Sequence, residues 1–112
     1  MLIREYIYTA KITNVVDGDT VDMIVDLGFN TYVKERFRLA RIDTAEINSK
    51  IEDERVLAQD AKSWMSNFLN KEVIFKSVKK DKYGRYLAEL FLPNEDTSLN
   101  QQLLNLGLAK LY

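Results

Sequence analysis

"VVDGDTVDMIVDLG", residues 15–28, carries two signals in succession. Asp17, Gly18 and Asp19 are poor strand formers set among residues that favour strands, the composition of a tight turn. From Asp19 onward the chain alternates: Val21, Met23, Val25 and Leu27 share one face, Asp22 and Asp26 the other. Gly28 and Asn30 then mark a second turn. A β-strand bounded by turns is predicted, with one face buried and one wet. The turn accounts for Asp17 and Gly18. It does not account for Asp19 at the mouth of the strand, where a carboxylate could equally be a ligand.

Working outward, residues 5–15 are rich in Tyr, Ile, Thr and Val and predict a preceding strand. Residues 32–42 predict a third, with Val33, Phe37 and Leu39 on one side and Lys34, Arg36 and Arg38 on the other. The period changes over 53–69. Leu57, Ala61, Trp64, Met65 and Phe68 fall at helical spacing, behind Glu52, Asp53 and Glu54, which suit a helix N-terminus. Val73–Val78 and Tyr86–Leu92 predict two more strands, joined by "KKDKYGR" (79–85) with Gly84 at a positive φ. Ser98 and Gln101 have capping-box spacing and open a short helix through Leu99, Leu103 and Leu106, stopped by Gly107. The expected fold class is α+β, mainly β. It is a five-stranded OB-type Greek-key barrel with two helices packed on it, one domain over residues 1–112.

Composition removes many chemistries. The 112 residues contain no cysteine and no histidine, so disulfides, thiolate zinc sites, cysteine nucleophiles and imidazole-based triads are all excluded. What remains is carboxylate, Arg, Lys, Tyr and hydroxyl chemistry, or a hard metal held by oxygen. With 46% apolar residues and one proline, a packed core is affordable. No apolar run is long enough for a membrane span. "MLIREYIYTAK" has neither a long apolar stretch nor a small-residue cleavage site, so no signal peptide is expected. A mature secreted form, a phage-encoded protein and a cytoplasmic protein all fit.

Net charge is −1, but it is unevenly spread. Lys34, Arg36, Arg38 and Arg41 face only Glu35 within residues 34–41, a net of +3. Lys71, Lys76, Lys79, Lys80, Lys82 and Arg85 face Glu72 and Asp81 within 71–85, a net of +4. Two basic segments in an otherwise acidic chain indicate a local anion site.

Three short segments collect the chemistry: Asp17-Gly18-Asp19-Thr20, "FRLARIDTAE" (37–46) and "DKYGR" (81–85). Each has a plain structural explanation: a turn, a cap, a charged hairpin tip. As a set they offer more. Separate aspartates and a main-chain carbonyl are hard-oxygen ligands of the kind Ca²⁺ takes. Two arginines from distant segments match phosphate oxygens with their guanidinium forks. A further carboxylate could activate water.

The D-G-D-T turn, the F-R-L run followed by I-D-T-x-E, the D-K-Y-G-R segment and the closing "GLAKLY" together resemble the thermonuclease family, the staphylococcal-nuclease-like domain, from about Thr9 to Leu111. The resemblance implies an OB-type barrel with helices. It implies Ca²⁺-dependent hydrolysis of DNA and RNA phosphodiesters leaving 3′-phosphate ends. By motif position it makes Asp19, Asp43 and the Thr44 carbonyl the calcium ligands and Glu46 the general base. It makes Arg38 and Arg85 the phosphate clamp, with Lys82 and Tyr83 touching the nucleotide at the rim. The expected partner is single-stranded or frayed DNA or RNA, bound by a monomer, with no membrane involved. Where the family commonly has proline between the threonine and the glutamate, this chain has Ala45, and the loop after Glu46 is short and acidic. Two other functions share the fold: a non-catalytic nucleic-acid-binding module and a protein-interaction barrel. Binding modules of this fold typically lose the base or the arginines, which are present here, and an interaction barrel would carry the site as a vestige.

Overall fold

The computed structural model describes residues 6–78 and 80–112. Glu5, where the first predicted strand begins, and Lys79 of the second basic segment lie outside them.

The strands are β1 (Ile7–Asp17), β2 (Thr20–Asp26), β3 (Tyr32–Leu39), β4 (Ile42–Asp43), β5 (Glu72–Val78), β6 (Tyr86–Phe91) and β7 (Lys110–Leu111). The helices are α1 (Glu52–Ser66) and α2 (Leu99–Asn105). Five strands close a barrel in the order β1-β2-β3-β6-β5, with β1 returning to pair with β5. Every pairing in it is antiparallel except β3 with β6. This is the Greek-key barrel with two helices that the element order predicts.

Period-2 patterning builds the interior. On β2, Val21, Met23 and Val25 are buried while the residues between them are half-buried. Leu27, expected on the same face, is 43% exposed because the strand has already ended at Asp26. Strand β1 curves through two register shifts against β2, between Ile12 and Asn14 and between Val15 and Asp17. Such shifts add local twist, which a closing sheet needs.

Helix α1 departs from its predicted stripe. Ala58, Ala61 and Met65 are the buried positions, Trp64 is half-buried against Phe68, and Leu57 is 38% exposed. Small residues face the barrel because the helix passes very close to the Asp17–Thr20 turn. A Cβ built on Gly18 would lie 2.6 Å from the Ala61 Cβ and 3.0 Å from the Thr44 Cγ2. Contact with α1 therefore requires glycine at position 18.

Helix α2 is capped as predicted on one side only. The Ser98 hydroxyl accepts from the Gln101 N–H at 3.0 Å, but the Gln101 side chain turns to Asn105. Gly107 and Gly84 adopt φ of 73° and 76°, as their positions predict. The predicted third strand, 32–42, is broken: Arg41 has φ 70°, and β4 beyond it pairs with β7 instead of continuing the barrel. That break matters for the site, because it swings Asp43 and Thr44 off the barrel wall.

Candidate active site

The Asp17–Thr20 hairpin places Asp19 next to the end of β3, where Thr20 pairs with Arg38. The Asp19 carboxylate is buried. Its Oδ2 accepts from the Thr44 backbone N–H at 3.1 Å and its Oδ1 from the Thr20 hydroxyl at 3.0 Å. Arg38 reaches the same point from β3. Its Nη2 donates to Asp43 Oδ1 at 2.9 Å and stands 3.5 Å from Asp19 Oδ2, and its Nη1 donates to the Ile42 carbonyl at 3.2 Å. The structure thus brings Asp19, Arg38, Asp43 and Thr44 into one cluster, joined across 25 residues of sequence by the Thr44–Asp19 bond.

Arg38 lies on the outward side of β3, yet it is only 8% exposed. Strand β4 and the C-terminal segment roof it over. The Tyr112 ring lies 4.8 Å from the Arg38 guanidinium, and the Tyr112 N–H donates to the Arg41 carbonyl at 2.9 Å. Cation–π contact and a double carboxylate clamp hold the guanidinium in place.

Burial works against ionisation of Asp19. Hydrogen bonds from Asp17, the Thr44 N–H and Thr20, with the charge on Arg38, outweigh it and hold the carboxyl below the usual range. Asp17 answers in the opposite sense. Burial, then hydrogen bonding to Asp19 and repulsion from it, pushes its carboxyl up to about 6. Two carboxylates this close share charge unequally, and Asp19 keeps the negative charge.

A cleft of about 290 Å³ opens beside the cluster, walled by Asp43, Thr44, Glu46, Leu57 and Lys110 among others. Glu46 stands on it, exposed, and its side chain makes no hydrogen bond to any described residue. Ala45 leaves its loop without a proline, but Ser49 braces the segment. The Ser49 N–H donates to the Glu46 carbonyl at 3.2 Å, the Ser49 hydroxyl to Glu54 Oε2 at 2.5 Å, and Arg55 to the Ser49 carbonyl at 2.7 Å.

Arg38 also lines a second cleft, of about 280 Å³, together with Arg85 and Arg36. Arg85 sits at the end of the 81–85 turn. That turn is folded by Asp81, whose carboxylate accepts from the Tyr83 and Arg85 N–H groups at 2.9 Å each and from Arg85 Nε at 2.6 Å. The Asp81 carboxylate, and after it the Tyr112 side chain, drive the Arg85 pKa up. Tyr112 is thus a neighbour of both arginines. Lys82 and Tyr83 are exposed and line neither cleft. The Tyr83 ring lies 5.1 Å from Lys82 Nζ and 5.1 Å from the Arg85 guanidinium, so it meets the site through Arg85.

Two contributors were not apparent from sequence. Lys110 lines the Glu46 cleft, directly opposite Asp43 in the β4–β7 pairing. Asn100, fully buried on α2, donates to the Ala40 and Ala88 carbonyls at 2.9 Å each and accepts from the Leu90 N–H at 3.2 Å. It ties the end of β3 to β6 just before the Arg41 break. An asparagine within the Leu99–Leu103 stripe was the available signal.

As oxygen donors, Asp19, Asp43 and the Thr44 carbonyl suit a hard divalent cation. Among the described residues no group of three or more acidic side chains is placed to hold a metal ion, so any ion at Asp19 and Asp43 would rely heavily on water and bind with modest affinity. No described helix is long and apolar enough to cross a membrane.

A family model described as staphylococcal nuclease homologue matches residues 36–112. An uncharacterized protein of Methanocaldococcus jannaschii is 33% identical over 132 aligned positions, covering 94% of this chain and 59% of the relative. An uncharacterized endonuclease of Escherichia coli is 26% identical over 107 positions, covering 91% of this chain and 60% of the relative. The chain thus spans about 60% of the length of the curated relatives it matches. The matched span contains the β3–β4 break, Glu46 and the 81–85 turn, and with the barrel and its clustered aspartates it places this chain in the staphylococcal nuclease homologue family.

Proposed function

We propose that this chain is a Ca²⁺-dependent nuclease domain that hydrolyses phosphodiester bonds in single-stranded or frayed DNA and RNA, leaving 3′-phosphate ends. The observation that carries this reading is Arg38: a buried arginine shared by two aspartates and bordering a cleft with a second arginine. The arrangement here holds a guanidinium at the edge of one cleft, while its partner Asp43 lines the other cleft with the exposed Glu46.

The steps follow from the residues. Arg38 and Arg85 take the non-bridging oxygens of the phosphodiester, Arg38 with the Nη protons left by its bonds to Asp43 and the Ile42 carbonyl, and Arg85 with its Nη groups, since Asp81 holds its Nε. Glu46 accepts a proton from water, whose oxygen forms the new bond to phosphorus. The P–O5′ bond breaks, its electron pair goes with the 5′-oxygen, and that oxygen takes a proton from solvent water. Charge that grows on the phosphoryl oxygens is met by both guanidiniums, already oriented by their carboxylate partners. Asp19, Asp43 and the Thr44 carbonyl would hold Ca²⁺, which when bound supplies further positive charge against the reacting group. Tyr112 shields Arg38 from solvent, and Lys82 and Tyr83 meet nucleotide beyond Arg85.

We further propose that residues 1–112 act as one domain and as a monomer. The test is cleavage of single-stranded DNA and RNA at low salt with millimolar Ca²⁺ or with chelator. Binding without cleavage in either would favour a non-catalytic module instead.

A further inference from the structure

The cleft shared by Arg38 and Arg85 is larger than one phosphate needs, and a third arginine stands in it. Strand β3 pairs with β6 only from Phe37 to Leu39. From Tyr32 to Arg36 its outer edge is unpaired among the described residues, and the 80–85 turn stands away from it. That separation opens the cleft. Arg36 lines it on the same face of β3 as Arg38, two residues away, and Tyr86 and Glu35 line it as well. The Lys80 ammonium lies 4.4 Å from the Tyr86 ring centre, adding positive charge on that side.

Side chains two apart on a strand stand about 6.6–6.8 Å apart. Successive phosphates of an extended nucleic-acid strand repeat at a comparable distance. Lys34 continues the row one step further. Arg36 is also presented in a suitable way. Its Nε and Nη2 donate to Asp22 at 2.8 and 3.3 Å, which fixes the plane of the guanidinium and leaves Nη1 uncommitted among the described residues. Asp81 likewise holds Arg85, through Nε alone.

Resting on the nuclease reading, we infer that Arg36 forms a subsite for the phosphate next to the scissile one. The substrate class is accordingly a polynucleotide with at least one charged linkage flanking the bond that is cut, engaged within the chain. An exposed cross-strand pair between Arg36 and Asp22 is the alternative, and it predicts no effect on substrate.

The test uses oligodeoxynucleotides with a single cleavable linkage, in which the linkage on one side or the other is a neutral methylphosphonate. The unmodified protein should lose roughly tenfold in kcat/KM when the charge is removed on one particular side. Arg36→Gln should lose a similar factor on the fully charged strand and be indifferent to the methylphosphonate, while Arg36→Lys recovers part of the loss. Equal losses for Arg36→Gln on both substrates, or none on either, would overturn the inference. A chain that cuts nothing would sink the nuclease reading, and equilibrium binding would then decide this one. For a single strand, Arg36→Gln should reduce the slope of log K against log salt by about 0.7. An unchanged slope would refute the subsite.

Discussion

Gly18→Ala tests how the site is assembled. The added methyl would meet Ala61 Cβ at 2.6 Å, Thr44 Cγ2 at 3.0 Å and the Ala61 carbonyl carbon at 3.2 Å. Neither alanine nor helix backbone can rotate aside, so the turn or α1 must shift. Overpacking of this kind costs about 1–3 kcal/mol. Against it stands a gain of about 0.4–1 kcal/mol, because alanine restricts the unfolded chain more than glycine. The steric term wins, and a net loss of about 1–2 kcal/mol corresponds to a fall in Tm of roughly 5–15 °C. Thermal melting followed by circular dichroism measures it. Ala61→Gly should itself cost about 1 kcal/mol of helix propensity. Combined with Gly18→Ala, it should recover most of the steric loss, a coupling of at least ~1 kcal/mol. A Tm that rises in Gly18→Ala, or losses that simply add in the double variant, would refute a close approach of α1 to the turn.

Arg38→Ala should abolish cleavage by about two to three orders of magnitude, and because it strips a buried cation from two carboxylates it should also cost about 3–5 kcal/mol of stability. Glu46→Gln should lower the rate comparably and leave Tm within about 2 °C, since the exposed side chain supports no described contact. Asp17 binds its proton more tightly folded than unfolded, so its contribution to stability is complete below pH 3.8 and is lost as pH rises to about 6. Discounted for its partial exposure, Asp17→Asn should therefore stabilise by on the order of 1 kcal/mol at pH 8 and by nothing measurable near pH 4, in chemical denaturation at both pH values. Asn100→Leu takes the side-chain partner from the Ala40 carbonyl and the Leu90 N–H, while the Ala88 carbonyl keeps the Ala40 N–H, and should cost several kcal/mol, about 1–3 for each of the two groups, measured the same way.

Local patterning made the barrel legible. The alternation on β2, the turn at Asp17–Thr20, the period change at α1 and the left-handed glycines at 84 and 107 are each set by a few neighbouring residues. What sequence did not show depends on partners far along the chain. Strands β4 and β7 have two residues each, too short for any period, and exist only because they meet. Alternation correctly puts Arg38 outside the barrel, but the burial of that outer face comes from Tyr112 and β4. Leu57 lies on the helical stripe yet borders the Glu46 cleft, because close approach at Gly18 turns Ala58 and Ala61 inward. The acid pair Asp17–Asp19 reads as a plain turn until burial separates the two carboxyls. For the site, the three segments were visible as motifs. Their convergence on Arg38 required the Arg41 break and the Thr44–Asp19 bond.

The most direct test of the account is cleavage of single-stranded DNA at low salt by the folded chain and by Glu46→Gln, each with millimolar Ca²⁺ and with chelator. The account predicts cleavage by the parent chain only when calcium is present, 3′-phosphate ends on the products, and a loss of orders of magnitude in Glu46→Gln at unchanged Tm. Cleavage that is indifferent to chelator, or that survives in Glu46→Gln, would contradict it.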